Sequence, residues 1–393
     1  MATAVLDLEF EQLPPEISGL DRYSQALILI RLRRRPVGRV TLPVVAGRIG
    51  GAELRDALID AADWPLVESW LHDYLELDAK RAEWFVPPKA TIAVCTRDRP
   101  EDLSRCLGAL MRLPDDGQEI LIIDNAPSTE ATRHLVERYP TIRYVREPRP
   151  GLNVARNRAL GEARHEVVAF IDDDAAPDEG WLRALLQNFD DPLVHCVTGL
   201  TMPLELETDA QEWHEGYSTF VRGFRRRVFD AFHFNPTAGG QAGSGVNMAL
   251  RRSVLQQLGP FDELLDAGTR TRSGGDSEMF SRILSSGYRI VYEPKALNWH
   301  RHRRTWRELR RMVHGYGVGV YAGWTRSFLV ERELGMFRPA LGWLFGTQLP
   351  ALIRSILQPC SISFDLVWSE LRGCAIGPWT YLAARREARK RRR

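Results

Sequence analysis

From about Ala90 to His300, short β-branched runs alternate with helix-patterned segments, and this alternation leaves few folds open to the chain. The runs from Ala90 to Thr96, Ile120 to Asp124, Ile142 to Val145 and Val167 to Ile171 are rich in isoleucine, valine and aromatic residues and show no helical period. Each is therefore predicted to be a strand. Residues 102–111, 129–138 and 152–163 between them are predicted to be helices, and a last strand is expected from Arg289 to Glu293. Alternation of this kind predicts an α/β fold with a largely parallel, Rossmann-like sheet, right-handed crossovers and flanking helices. In open sheets of that type, ligands gather outside the carboxyl ends of the strands. Polar residues at those ends are the first candidates for chemistry.

Three strand ends carry such residues. The run Val167-Val-Ala-Phe-Ile leads straight into Asp172, Asp173 and Asp174. Three adjacent carboxylates repel one another and, unless solvated, call for a counter-charge, for which a divalent cation is suited. The competing reading is a solvated acidic turn. The first strand runs into Thr96-Arg97-Asp98-Arg99-Pro100, a loop that opens a helix and can offer backbone N–H groups and basic side chains to a nucleotide. The second ends in Asp124 and Asn125, where a carboxylate can accept hydrogen bonds from a base N–H or ribose hydroxyls. Taken singly, each is a turn residue or helix cap; three polar strand ends in one sheet point to a shared cleft.

The order Thr96-Arg97-Asp98-Arg99, Ile123-Asp124-Asn125, Gly151-Leu-Asn-Val-Ala-Arg156-Asn157 and Asp172-Asp173-Asp174 resembles the family 2 glycosyltransferases of the GT-A fold. The resemblance covers somewhat over half the chain. It implies that Asp124 meets the nucleotide base and that Arg156 or Asn157 helps hold the nucleotide sugar. It further implies that Asp172 and Asp174, with Asp173 between them, bind the ribose and a divalent metal, Mg²⁺ or Mn²⁺. Residues 237–252 match a glycine-rich loop lining the donor sugar, with Gly239, Gly240, Gly243 and Gly245 permitting close backbone approach. Asp276 matches the base that deprotonates the acceptor, although Gly275 replaces the usual preceding acid, and Glu278 is the reserve. An Asp at a helix start also reads as an N-cap. His300 is the better placed of His300 and His302 for a third metal ligand.

The flanks are read from composition and pattern. With 393 residues, 44% hydrophobic and 26% charged, the chain has room for two or three globular domains. The expected division is 1–88, a small accessory α+β domain; 89–300, the GT-A domain; and 301–393, a helical region. In the first, the runs 26–32 and 39–45 flank Arg35-Pro-Val-Gly, read as a hairpin turn, and helices follow over 52–62 and 67–77. Five cysteines without a Cys-x-x-Cys pair indicate neither a zinc site nor a disulfide framework. The first residues lack the pattern of a secretory signal, so a reducing cytosol is expected. Leu341 to Leu357 is apolar but interrupted by Pro350 and Arg354, short of the roughly 20 residues of a spanning helix. Interfacial attachment to the inner face of the cell membrane is expected, aided by the basic clusters at 222–227, 301–311 and 385–393. Nothing suggests nucleic acid as a partner.

The predicted activity is a metal-dependent, inverting transfer of sugar from a nucleoside-diphosphate donor, with a lean to UDP, to an acceptor hydroxyl. A lipid-linked or polysaccharide acceptor of the cell envelope fits the basic, aromatic C-terminal region. A nucleotidyltransferase is the alternative, but its usual first loop is glycine-rich and residues 96–100 contain no glycine. A non-catalytic, membrane-associated nucleotide-sugar-binding protein would be expected to have lost acids that this chain retains.

Overall fold

The computed structural model describes residues 2–217, 220–358 and 363–391. Cys360, Arg392 and Arg393 lie outside the described residues. The other four cysteines form no disulfide.

The N-terminal sheet has three strands, β1 (Ala2–Glu9), β2 (Tyr23–Leu32) and β3 (Arg35–Pro43), with β2 in the middle. The sequence pattern led to β2 and β3 but not to β1, which pairs parallel to β2. The hairpin turn is not Arg35–Gly38, which lies within β3. It is Arg33-Arg34, at φ 49° and 70°. A two-residue turn with both φ values positive matches the twist of the strands it joins. Arginine is a poor resident there, and the Glu9 carboxylate compensates by accepting the backbone N–H of Arg33 at 2.6 Å and of Arg34 at 2.9 Å. Side chains along β2 alternate between two cores. Ala26, Ile28 and Ile30 face the helix Gly51–Tyr74, whereas Leu27 and Leu29 pack on Leu200, Met202 and Leu297 of the central sheet. That helix bends at Asp63, two residues before Pro65, where two helices were expected.

The central sheet contains β4 (Ala90–Thr96), β5 (Glu119–Asn125), β6 (Ile142–Glu147), β7 (Val167–Asp172), β8 (Ala175–Pro177), β9 (Val194–Pro203), β10 (Arg227–Phe229), β11 (Asn247–Arg251) and β12 (Arg289–His300). Its order is β8-β12-β9-β11-β7-β4-β5-β6, with β10 also on β12. Strands β6, β5, β4 and β7 are mutually parallel, as are β9 and β12. Between these blocks β11 runs antiparallel to both neighbours. Apolar clusters cover both faces.

This topology places the site. The chain leaves β4 in one direction to form β5 and β6, then returns to lay β7 on the other side of β4. The register sets Cys95 opposite Asp172 and Thr96 opposite Asp124, so the polar ends line up at the switch of direction. Strand β12 runs seven residues past the expected Glu293 and ends at His300, paired with Ala175 beside the acids.

Beyond it, the helix Trp306–Arg326 opens with a Thr305–Glu308 capping box and packs along the helix Phe364–Arg391. Helical structure also continues from Leu334 to Leu357 without a break at Pro350, contrary to the sequence expectation. Pro350 falls at the start of the helix Leu349–Leu357, and a π-turn over Leu344–Gln348 precedes it. Proline is tolerated in that first turn, where its missing N–H is not required. The 24-residue span is long and apolar enough to cross a membrane by length and composition, and 11% of its most apolar window is buried.

Candidate active site

The three adjacent carboxylates diverge. Asp173 turns toward β4, accepting from Thr96 Oγ1 at 2.7 Å and from Arg99 Nη1 at 2.5 Å. Asp174 accepts from Arg99 Nη2 at 2.7 Å and Arg303 Nη1 at 3.3 Å, while His300 Nε2 lies 3.1 Å from its other oxygen. Asp172, Asp174 and His300 together each present one ligand atom, all within 4.8 Å of one another. Two buried or half-buried carboxylates and one imidazole, in a site that must balance excess negative charge, fit a divalent cation of the Mg²⁺ or Mn²⁺ class.

Burial, reinforced by the charge of Asp174, pushes the Asp172 carboxyl upward. Burial does the same to Asp173 against the pull of Arg99, with Asp174 adding to the rise. Burial also opposes ionisation of Asp174, but His300 with Arg99 and Arg303 holds it well below the usual carboxylate range. Two arginines of the Arg301–Arg311 cluster are thus drawn inward: Arg301 pairs with Asp102 and Glu205, and Arg303 with Asp174, while Arg304, Arg307, Arg310 and Arg311 stay exposed.

These acids line one end of a cleft of about 870 Å³. Asp276, at the start of the helix Gly275–Ser285, lines the same cleft and is fixed by the backbone N–H of Gly245 at 2.7 Å and its neighbour Ser277 at 2.7 Å. Arg156 lies buried between them, donating to Asp266 at 2.7 Å and Asn153 at 3.2 Å.

Residues 91–259 match the family model described as glycosyl transferase family 2. The segment is a family 2 glycosyltransferase domain. Among similar proteins, the pre-mycofactocin glycosyltransferase of Mycobacterium tuberculosis is 27% identical over 224 residues, covering 56% of this chain and 44% of that protein. The chain therefore spans less than half the length of that relative. Glycosyltransferase AglE of Haloferax volcanii is 23% identical over 269 residues, covering 66% of this chain and 81% of AglE. In fold, the chain resembles the mannosyltransferase PcManGT of Pyrobaculum calidifontis, solved in complex with GDP-Man and Mn²⁺. The TM-score is 0.51 at 16% identity, over 80% of this chain and 97% of that one. The nucleotidyltransferase alternative is set aside by the family match, whereas Asp276 and His300 lie beyond the matched residues.

Of the expected site residues, Thr96, Arg97, Arg99, Arg156, Asp172, Asp173, Asp174 and Gly243 of the glycosyltransferase segment line the cleft, together with Asp276 and His300 beyond it. Asp124 is fully buried just beneath its neighbour Asn125, which lines the cleft. One Asp124 oxygen accepts from Tyr144 at 2.8 Å and Oδ1 has no partner among the described residues. Burial pushes its pKa upward.

Other expectations need correction. Asn157 turns away from the cleft and braces the loop after Gly259, accepting from Phe261 N–H at 2.8 Å and donating to Phe261 O at 3.0 Å. Asp98 accepts from the Ser128 N–H and hydroxyl, both at 2.8 Å, and holds one loop to another. Glu278 reaches the cleft margin, but its carboxylate is clamped by Arg282 and Arg326, each at 2.6 Å. The glycines of residues 237–252 meet protein first. A side chain on Gly243 would overlap Thr198, and one on Gly245 would overlap Arg156.

Sequence reasoning missed Asp266, the buried partner of Arg156, for which the segment Leu264-Leu-Asp-Ala-Gly gave no signal. It also missed the cleft wall supplied by Trp324 and Trp343 from the C-terminal helices. Their aromatic enrichment was visible, but not the direction in which they pack.

Proposed function

We propose that the chain transfers a sugar from a nucleoside-diphosphate donor to an acceptor hydroxyl with inversion at the anomeric carbon. The observation that carries this reading is the placement of Asp276 and the Asp172–Asp174–His300 group on one cleft at the sheet's switch point. The donor's diphosphate belongs beside Asp172 and Asp174, and its base beside Asp124, whose unpartnered Oδ1 can accept a base N–H. Arg99 and Arg303, already turned toward the acids, provide positive charge near the departing diphosphate. Asp172, Asp174 and His300 would hold a divalent cation, which when bound supplies Lewis-acid neutralisation of the leaving group.

Asp276 is the general base. It takes the proton of the acceptor hydroxyl as that oxygen bonds to the anomeric carbon, on the face opposite the breaking bond to the diphosphate. Gly245 and Ser277 hold the carboxylate in place for that step. Glu278 is assigned a structural role between its two arginines.

The same Leu334–Leu357 helix that places Trp343 on the cleft exposes Leu341, Phe345 and Ile353 outward. That continuity favours an acceptor carried on a lipid, with the enzyme attached peripherally to an anionic membrane surface.

The test is nucleoside diphosphate release from GDP-mannose, UDP-glucose and UDP-N-acetylglucosamine, with polyprenyl phosphate in anionic vesicles as acceptor. A parallel calorimetric measurement records binding of GDP and UDP. Release and binding that require Mn²⁺ and vanish in Asp174→Asn are expected. Neither release nor metal-dependent binding for any nucleotide would overturn the reading.

A further inference from the structure

Behind the cation-ligand group runs a line of buried side chains that the transfer itself does not use. His300 Nδ1, on the far side of the ring from Asp174, lies 3.2 Å from His302 Nδ1. His302 Nε2 lies 2.9 Å from Glu215 Oε2. The other Glu215 oxygen accepts from Arg39 of the N-terminal sheet. His302 is 2% exposed and His300 6%, so bulk water does not compete for these bonds.

The hydrogen positions follow from the partners. Glu215, ion-paired with Arg39, is a carboxylate and can only accept. His302 Nε2 must therefore carry a hydrogen, and neutral His302 turns a lone pair outward at Nδ1. His300 Nδ1 meets that lone pair as an N–H. The remaining nitrogen, Nε2, faces Asp174 at 3.1 Å and donates to that carboxylate when no cation is present; with Nδ1 already carrying a hydrogen, Nε2 is the nitrogen whose lone pair a cation would take in place of that hydrogen.

We propose that His302 and Glu215 are positioning residues that fix the tautomer and ring orientation of His300, and that Arg39 extends this support into the N-terminal sheet. The inference rests on the reading of Asp172, Asp174 and His300 as cation ligands. It gives the N-terminal sheet a part in the site: β3 carries the guanidinium that anchors the far end of the line. Phe220 packs against the His300 ring in a T-shaped contact with centroids 5.3 Å apart.

Mn²⁺ binding to the full chain, followed by the electron paramagnetic resonance signal of unbound Mn²⁺ with GDP or UDP present, tests this without turnover. His302→Leu is expected to weaken Mn²⁺ binding by about 10-fold or more. His302→Asn, whose Oδ1 keeps an acceptor near the position of Nδ1, is expected to retain most of it. Arg39→Met should give a smaller loss in the same direction. Binding by His302→Leu within about twofold of the wild type would overturn the positioning role while leaving the ligand assignment intact. Absence of Mn²⁺ binding in the wild type overturns the ligand assignment and this inference with it. Should His302→Leu fail to fold, nitrogen-15 spectra of histidine-labelled wild type with Mg²⁺ decide the matter. A proton on Nδ1 of His300 supports the inference and one on Nε2 refutes it.

Discussion

Asp276 and Glu278 sit two residues apart at the start of one helix, and their surroundings divide their work. Among the described residues, Asp276 accepts only from backbone and hydroxyl donors, and it faces the cleft. Glu278 is locked between two guanidinium groups. Asp276→Asn is expected to leave Mn²⁺-dependent nucleotide binding in place while transfer falls by about 10²-fold or more, as for a lost general base. Glu278→Gln removes one partner of a buried ion cluster and is expected to cost about 3–5 kcal/mol of stability, with turnover per folded molecule retained. Denaturant melts alongside initial rates separate the two; a Glu278→Gln protein that melts normally yet cannot transfer would reverse the assignment. At this scale the sequence was legible where a polar residue ends a strand, because topology alone puts it at the cleft. It was not legible for Asn157 and Asp98. Those residues occupy the expected segments, but composition does not say which way a side chain on a helix or loop turns, and both turn to brace neighbouring loops.

Among elements, the strands and helices of the alternating region were readable from apolar runs and punctuation. The misreadings came where tertiary partners override local chemistry. Arg33-Arg34 makes a turn only because Glu9 caps it, and β1, which supplies Glu9, has little pattern of its own. Gly243 illustrates a different demand. Its φ of 153° and ψ of −155° lie in a region open essentially to glycine, and a Cβ there would collide with Thr198 of β9. Gly243→Ala is therefore expected to destabilise by about 2 kcal/mol or more, read as a lowered urea midpoint. A variant of unchanged midpoint would mean that the loop can move off β9. Helix packing adds a pH-sensitive contact. Glu370, on the helix Phe364–Arg391, is pushed up to about 7 by burial, with hydrogen bonds to Tyr217 and Gln348 pulling the other way. With a folded pKa above the ordinary value of 4.5, the protonated acid is favoured by the fold. Stability is then fullest below the ordinary value and is lost as pH rises through 7, by about 3 kcal/mol at most. Glu370→Gln should flatten that part of the pH–stability curve; an unchanged slope between pH 5 and about 8 would assign the slope to other groups.

For the whole molecule, the proposed lipid-borne acceptor would give the C-terminal region the task of placing the cleft at a membrane surface. Phe345, Ile353, Ile356 and Leu357 are each more than half exposed on the Leu334–Leu357 helix, and Trp379 is exposed on the next. Exposed apolar groups of this size cost free energy in water unless a surface covers them. Arg385, Arg386, Arg389 and Lys390 stand at the far end of the second helix. Each basic residue near an anionic bilayer adds about 1 kcal/mol of attraction that salt screens. The two contributions predict different dependences. Flotation with liposomes should capture the full chain when anionic lipid is present, and should weaken in high salt as the arginines lose their hold. Phe345→Glu with Ile353→Glu should reduce capture at every salt concentration, because it removes the apolar contribution and leaves the charged one. Both residues face outward, so the folded core should tolerate the change. Capture that ignores lipid charge and salt would place the helix across the bilayer instead of on it, which its length permits. A chain that never floats would leave the exposed face to a protein partner and detach the lipid-linked acceptor from the proposed function.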